Sequence, residues 1–83
     1  MQNELRSILE ELLDRDTVSR IQSDTMLFET GLLDSLKLVG LIAAIEERFN
    51  VAIPPDDLRP ENFEALAALD RYVQQKTMFR KGL

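Results

Sequence analysis

Asp34 and Ser35 stand immediately before the most apolar helical pattern in the chain, and their side chains could do chemistry. Either one can accept hydrogen bonds from N–H groups left free at the start of a helix, so the pair predicts an N-cap. A serine hydroxyl here would also lie at the positive end of a helix, a place that favours phosphate. Taken alone, the pair is more typical of a cap than of a modified serine.

The helix that must position this pair is predicted from Asp34 or Ser35 to about Phe49. Its apolar residues recur at the spacing of one buried helical face, namely Leu38, Leu41, Ile42, Ile45 and Phe49. Asn50 is a suitable C-terminal stop. Gly31, which can take a positive φ, provides the turn before the helix.

Two further long helices are predicted, over about residues 3–15 with Asn3 as N-cap and over about residues 64–77. Residues 16–33 show no sustained period, yet they are too apolar for a solvated linker, so we expect a long loop packed along the helices. Pro54 and Pro55 interrupt helix formation. A single helical turn should follow at residues 56–58, and then a short turn or helix that buries Phe63. The chain is therefore predicted to be all-α.

Length and composition indicate one domain over residues 1–83, with residues 78–83 as a basic, apolar tail open to fraying. The net charge of −5 and the pI of about 4.6 argue against a nucleic-acid partner. They suit either docking onto basic proteins or plain solubility. No signal peptide or membrane-spanning run is visible, which predicts a cytoplasmic protein without a membrane partner.

The chain has no cysteine and no histidine. Disulfides, metal sites built from these residues and Cys/His catalytic arrangements are excluded. The paired carboxylates of Asp56–Asp57 and Glu46–Glu47 suggest solvated surface rather than an acid–base site. We therefore predict no metal and no catalytic residues.

The segment Gly31-Leu-Leu-Asp-Ser-Leu36, with the apolar helix that ends Ile45-Glu-Glu-Arg-Phe49, resembles the acyl and peptidyl carrier proteins. The resemblance extends from the first helix to Tyr72. It implies a four-helix bundle with a long first loop and a short third helix, and a monomer that catalyses nothing itself. Because the chain starts with Met shortly before its first helix, we expect a complete free-standing carrier, although an excised module with an added Met would look the same.

The resemblance also implies a cofactor and a set of partners. Ser35 would carry a 4'-phosphopantetheine arm, moved from coenzyme A by a phosphopantetheinyl transferase, and Asp34 would help to bind that transferase or its metal ion. An adenylating ligase would load an acyl group on the arm's thiol as a thioester, and downstream acyl-transfer enzymes would receive it.

We predict a partner-docking surface on the helix face that the core pattern leaves free, with Leu36, Val39, Gly40 and Ala43, joined by Lys37, Glu46 and Glu47. Fatty-acid carriers have carboxylates at several of these places, whereas this chain has Lys37, Gly40 and Arg48. Residues 57–63 look more like free-standing aminoacyl, peptidyl or D-alanyl carriers. We therefore expect an aminoacyl cargo, with a fatty-acid or polyketide carrier as the alternative within the class.

One rival comes from another class. A small acidic helical adaptor that binds proteins without a cofactor would explain the fold and the charge, but it leaves the Asp34-Ser35-Leu36 context as coincidence. Replacement of Ser35 by Ala separates the two, because an adaptor keeps its binding and a carrier loses all loading.

Overall fold

The computed structural model describes the backbone of residues 2–82 and the side chains of residues 2–77. Within these limits helices are the only regular secondary structure and no strand occurs, which confirms the predicted all-α fold. The helices are α1 (Gln2–Leu12), α2 (Arg15–Ser19), α3 (Ser35–Phe49), α4 (Pro60–Phe63) and α5 (Leu66–Gly82), and a 3₁₀ turn occupies Pro55–Asp57.

The core lies between α1, α3 and α5: α1 packs against both of the other helices, and apolar residues of all three form one buried cluster. Its fully buried side chains include Leu5, Ile8 and Leu9 of α1, Leu41 and Ile45 of α3, and Leu66, Leu69 and Val73 of α5. Phe63 of α4 is also buried, as predicted. Helix α3 is thus held in the core by its apolar face.

The first loop packs against the core as expected, with Val18, Ile21, Leu27 and Leu33 buried. Two backbone hydrogen bonds tie it to residues 64–67, where α4 ends and α5 begins: Leu27 N–H donates to the carbonyl of Glu64 at 2.8 Å, and Ala67 N–H donates to the carbonyl of Ser23 at 3.0 Å. The loop is therefore a fixed part of the fold rather than a flexible connection.

The ends of α1 differ from the prediction. Asn3 lies inside the first turn instead of capping it, and α1 ends at Leu12 rather than at residue 15. The helix stops because Asp14 caps a separate helix, α2, by accepting a hydrogen bond from Thr17 N–H at 2.7 Å. This bond holds the pKa of Asp14 below its usual range. Helix α2 was not predicted.

Helix α5 starts at Leu66, two residues later than predicted, and its backbone continues to Gly82 instead of stopping near Thr77. The side chains of the predicted tail, residues 78–83, lie outside the described residues, so fraying of this tail stays a prediction. No helix in the described part of the chain has the length and apolar character needed to cross a membrane.

Candidate functional site

The start of α3 is capped by Asp34. Its Oδ1 accepts a hydrogen bond from Lys37 N–H at 2.9 Å, and its backbone carbonyl accepts one from Leu38 N–H at 2.8 Å. Asp34 itself keeps an extended backbone, with φ −135° and ψ −176°, as an N-cap residue should. Of the two residues predicted as possible caps, Asp34 therefore fills the role.

Ser35 is the first residue inside α3, and its side chain is exposed. Among the described residues none hydrogen-bonds to its hydroxyl. Because the Asp34 carboxylate caps the helix, the exposed Ser35 hydroxyl is not needed for the helix start. It is the kind of hydroxyl that another enzyme can reach.

The surroundings of Ser35 suit a phosphodiester. It would sit at the N-terminus of a 15-residue helix, where the helix dipole and the backbone N–H groups of the first turn favour negative charge. The exposed position leaves room for a long substituent. The residues present therefore fit a phosphopantetheine group on Ser35.

Helix α3 is oriented by both of its ends and by its buried face. Before it, Gly31 takes a positive φ of 80°, as predicted, and Leu33 N–H donates to the carbonyl of Leu27 at 2.9 Å. After it, Asn50 adopts the left-handed conformation, with φ 55°, and stops the helix. Burial of Leu41 and Ile45 then fixes which face carries Ser35.

Of the residues predicted to dock partners, Leu36 and Val39 are 82% and 65% exposed, a large fraction for apolar side chains. Ala43 and Glu47 are exposed as well, and Lys37 is half-buried. Leu36, Val39 and Ala43 form an apolar strip beside Ser35, which we call the docking strip. It is the kind of patch that marks interaction sites.

Two other residues predicted for docking have partners inside the molecule. A Cβ atom added to Gly40 would come within 2.9 Å of Leu12 Cδ2, so Gly40 faces α1 rather than solvent. The carboxylate of Glu46 accepts a hydrogen bond from Ile53 N–H at 2.8 Å. Their surroundings point to structural duties: Gly40 makes room for α1, and Glu46 holds the chain that leaves α3.

Arg48, the third departure from the fatty-acid pattern, pairs with Glu11 of α1 at 2.9 Å. Lys37, by contrast, has no ion-pair partner among the described residues. Its positive charge is therefore available to a partner protein, whereas that of Arg48 is not.

Sequence reasoning missed a cleft on the other side of Ser35. Its volume is about 380 Å³, and its walls come from the first loop, α3 and the stretch around α4, with Met26, Phe28, Glu29, Leu38, Leu58, Arg59, Pro60, Phe63 and Glu64 as lining residues. Phe28 belongs to the loop predicted to pack along the helices, yet it is 37% exposed there, and Leu58 is 45% exposed. Leu38 joins the cleft to the site, because residues at i and i+3 are neighbours on a helix.

A polar cluster lies behind the wall of this cleft. Asp57 Oδ2 accepts a hydrogen bond from the Tyr72 hydroxyl at 2.6 Å, and Lys76 Nζ lies 3.2 Å from the same oxygen. The Tyr72 hydroxyl, aided by Lys76, lowers the pKa of Asp57. Burial, together with the bond to Asp57, raises the pKa of Tyr72.

Comparison with known proteins agrees with this geometry. Residues 3–69 match the family described as a phosphopantetheine attachment site. The chain is 31% identical over 77 residues to the D-alanyl carrier protein of Lactococcus lactis subsp. cremoris, covering 93% of this chain and 96% of that protein. It is 39% identical over 75 residues to the lincomycin biosynthesis protein LmbN of Streptomyces lincolnensis, covering 90% of this chain. It spans only 27% of that larger protein.

The fold is also shared with a solved structure. The holo acyl carrier protein of Nitrosomonas europaea superposes with a TM-score of 0.80 at 26% identity, covering 93% of this chain and 95% of that one. Family match, relatives and fold all lead to one assignment. The chain belongs to the phosphopantetheine-attachment family of carrier proteins, and its cofactor is 4'-phosphopantetheine.

Proposed function

We propose that Ser35 carries the phosphopantetheine arm and that the protein holds an aminoacyl group on it for delivery to other enzymes. The observation that carries this proposal is that two different residues cap α3 and offer the hydroxyl. Asp34 makes the capping hydrogen bond, so the exposed Ser35 hydroxyl can be modified without loss of the helix start.

In the attachment step the Ser35 Oγ attacks a phosphorus of the coenzyme A pyrophosphate. A new O–P bond forms, the bond to 3',5'-ADP breaks, and the hydroxyl proton passes to a base of the phosphopantetheinyl transferase. Only Oδ1 of Asp34 is committed to the cap, so its second oxygen is free to contact the transferase or its metal ion. The chain itself contributes the nucleophile and its position, and it is not an enzyme.

When attached to Ser35, the arm would supply a thiol that can hold the cargo as a thioester, with AMP as the leaving group once the ligase has activated the cargo's carboxyl group with ATP. Tethering raises the concentration of that cargo at each partner's active site. The docking strip of Leu36, Val39 and Ala43 would contact the transferase, an adenylating ligase and downstream acyl-transfer enzymes in turn. Lys37 and Glu47 would set the charge that each partner must match.

An aminoacyl cargo is supported by the D-alanyl carrier among the relatives. It is also supported by Lys37, whose positive charge would oppose a wholly basic docking groove. A fatty-acid or polyketide carrier is the alternative. With purified holo protein, we expect a D-alanine-activating ligase and ATP to add one alanyl group, and a malonyl transferase to add nothing. Loading by the malonyl transferase and not by the D-alanine-activating ligase would show that the protein is a fatty-acid or polyketide carrier instead.

The primary test is intact mass before and after incubation with coenzyme A and a broad-specificity transferase. We expect a gain of one phosphopantetheine group in the wild type and in Ser7→Ala, a control at another exposed serine, and no gain in Ser35→Ala. If folded, unmodified wild-type protein gains nothing, the adaptor hypothesis replaces this one. Loading by ligases that use ATP also suits the cytoplasm, where we place the protein.

A further inference from the structure

The chain between Ile53 and Phe63 is attached to the core mainly at its two ends. Ile53 and Phe63 are buried, whereas residues 54–62 between them are exposed except for Asp57 and Asn62, which are half-buried. Backbone hydrogen bonds of these intervening residues stay local, such as Asp57 N–H to the carbonyl of Pro54 at 3.0 Å. Something other than apolar burial must therefore hold the middle of this stretch in place.

Asp57 provides that hold. Its carboxylate reaches α5, where it receives the Tyr72 hydroxyl at 2.6 Å and Lys76 Nζ at 3.2 Å. The other polar side chains of residues 54–62 bond within the stretch: Asn62 Nδ2 donates to the carbonyl of Asp57 at 2.8 Å, and Arg59 lies 3.8 Å from Glu61. Among the described side chains of residues 54–62, Asp57 is thus the one with a polar bond to a long helix.

The residues that follow Asp57 form one wall of the cleft beside Ser35. Leu58, Arg59 and Pro60 line it on one side, and Leu38 of α3 lines it on another. Because Leu38 lies one turn beyond Ser35, the position of this wall sets the shape of the surface next to the Ser35 hydroxyl.

An enzyme that reaches Ser35 has to cover this wall. A standard interface takes about 800 Å² from each partner, roughly one seventh of the chain's 5426 Å² of accessible surface. The docking strip is too narrow to supply such an area alone. An interface centred on Ser35 therefore extends from the strip on one side to the cleft wall on the other.

We propose that Asp57 is a positioning residue for the modification of Ser35: by bonding to Tyr72 and Lys76 of α5 it places the Leu58–Pro60 wall where the phosphopantetheinyl transferase docks. This inference rests on the proposed function, because it assumes that Ser35 is the modified residue. Asp57 touches neither coenzyme A nor the Ser35 hydroxyl. Its removal should weaken docking and leave the chemical step unchanged.

The test compares Asp57→Asn with Asp56→Asn, using the apo protein, coenzyme A and a broad-specificity transferase. Both variants lose one carboxylate from the same 3₁₀ turn, but the Asp56 side chain is exposed and makes no bond in the described structure. We expect Asp57→Asn to raise the KM for the carrier by about fivefold or more with kcat unchanged, and Asp56→Asn to leave both at wild-type values. Amide shifts of Leu58 and Arg59 should move in Asp57→Asn alone.

Tyr72→Phe breaks the same contact from α5 while keeping the ring packed 5.6 Å from that of Phe63, so it should reproduce the KM effect even if Asp57→Asn folds poorly. Asp57→Glu keeps a carboxylate at this position, so its KM should lie between those of the wild type and Asp57→Asn. Equal KM values for Asp57→Asn and Asp56→Asn would overturn the proposal. So would a KM change without movement of the Leu58 and Arg59 shifts, because Asp57 would then act by direct contact. If the wild-type protein is not modified at all, the proposed function itself is wrong, whatever the role of Asp57.

Discussion

The carboxylate of Asp34 accepts the Lys37 N–H at 2.9 Å and thereby starts the helix that presents Ser35. Of these two adjacent polar residues, Asp34 stabilises the helix start and Ser35 presents its hydroxyl on the surface. A serine that capped its own helix would weaken that helix start when modified. Here the modification site and the cap are independent, and the independence can be measured.

We expect Asp34→Ala to destabilise the protein by about 1 kcal/mol, the usual cost of a lost N-cap. Ser35→Ala should leave the free energy of unfolding within about 0.5 kcal/mol of wild type, as for an ordinary surface substitution. Urea unfolding followed by circular dichroism measures both. A larger loss in Ser35→Ala than in Asp34→Ala would mean that the serine hydroxyl is the true cap.

The docking strip should be important for binding and unimportant for stability. Leu36 is 82% exposed, whereas Leu41 on the opposite side of α3 is fully buried. Leu36→Ala should therefore raise the KM of transferase modification without changing the unfolding midpoint. Leu41→Ala should cost about 2–5 kcal/mol of stability. Unaltered transferase kinetics in Leu36→Ala would exclude this strip from the interface.

Replacement of Gly40 by Ala should increase stability only when Leu12 is shortened. Ala is better than Gly inside a helix by about 1 kcal/mol, but its Cβ would come within 2.9 Å of Leu12 Cδ2. In wild-type protein the two effects should nearly cancel. In a Leu12→Ala background Gly40→Ala should give the full gain in thermal or urea stability. The same gain in both backgrounds would show that Leu12 moves aside freely.

The bond between Tyr72 and Asp57 should make stability fall at both extremes of pH. The pKa of Asp57 is lowered from 3.8, so its contribution is present above that value and is lost as the pH falls through the folded-state pKa. The pKa of Tyr72 is raised from 10.0, so its contribution is present below that value and is lost as the pH rises further. The stability difference between wild type and Asp57→Asn should therefore be greatest between these limits.

Unfolding midpoints of the two proteins across the pH range measure that difference. Asp56→Asn again serves as the control, since its curve should run parallel to that of the wild type. A constant gap between wild type and Asp57→Asn at every pH would contradict the assigned hydrogen bond, because neither group would then titrate differently in the folded state.

Local sequence rules predicted the parts of the site that depend on local structure. The Asp34-Ser35 pair, the apolar face of α3, the positive φ of Gly31 and the stop at Asn50 all follow from neighbours a few residues away. Even α2 carried a local signal, Asp14 placed three residues before Thr17, which is the spacing of a side-chain cap.

The surroundings of Gly40, Glu46 and Asp57 could not be predicted this way. Each depends on a residue brought from another element: Leu12 for Gly40, Ile53 for Glu46 and Tyr72 for Asp57. A helical pattern tells which side of its own helix a residue occupies, but not which other segment will arrive there. The cleft escaped notice for the same reason, since three separate stretches build it.

The two backbone bonds between the first loop and residues 64–67 also bear on how the chain folds during synthesis. Leu27 and Ser23 need Glu64 and Ala67 as partners, so the loop cannot settle until nearly the whole domain has left the ribosome. Helix α3 needs no such distant residue for its cap. A truncated chain that lacks α5 would thus keep Ser35 and its Asp34 cap in sequence but could not build the cleft beside them.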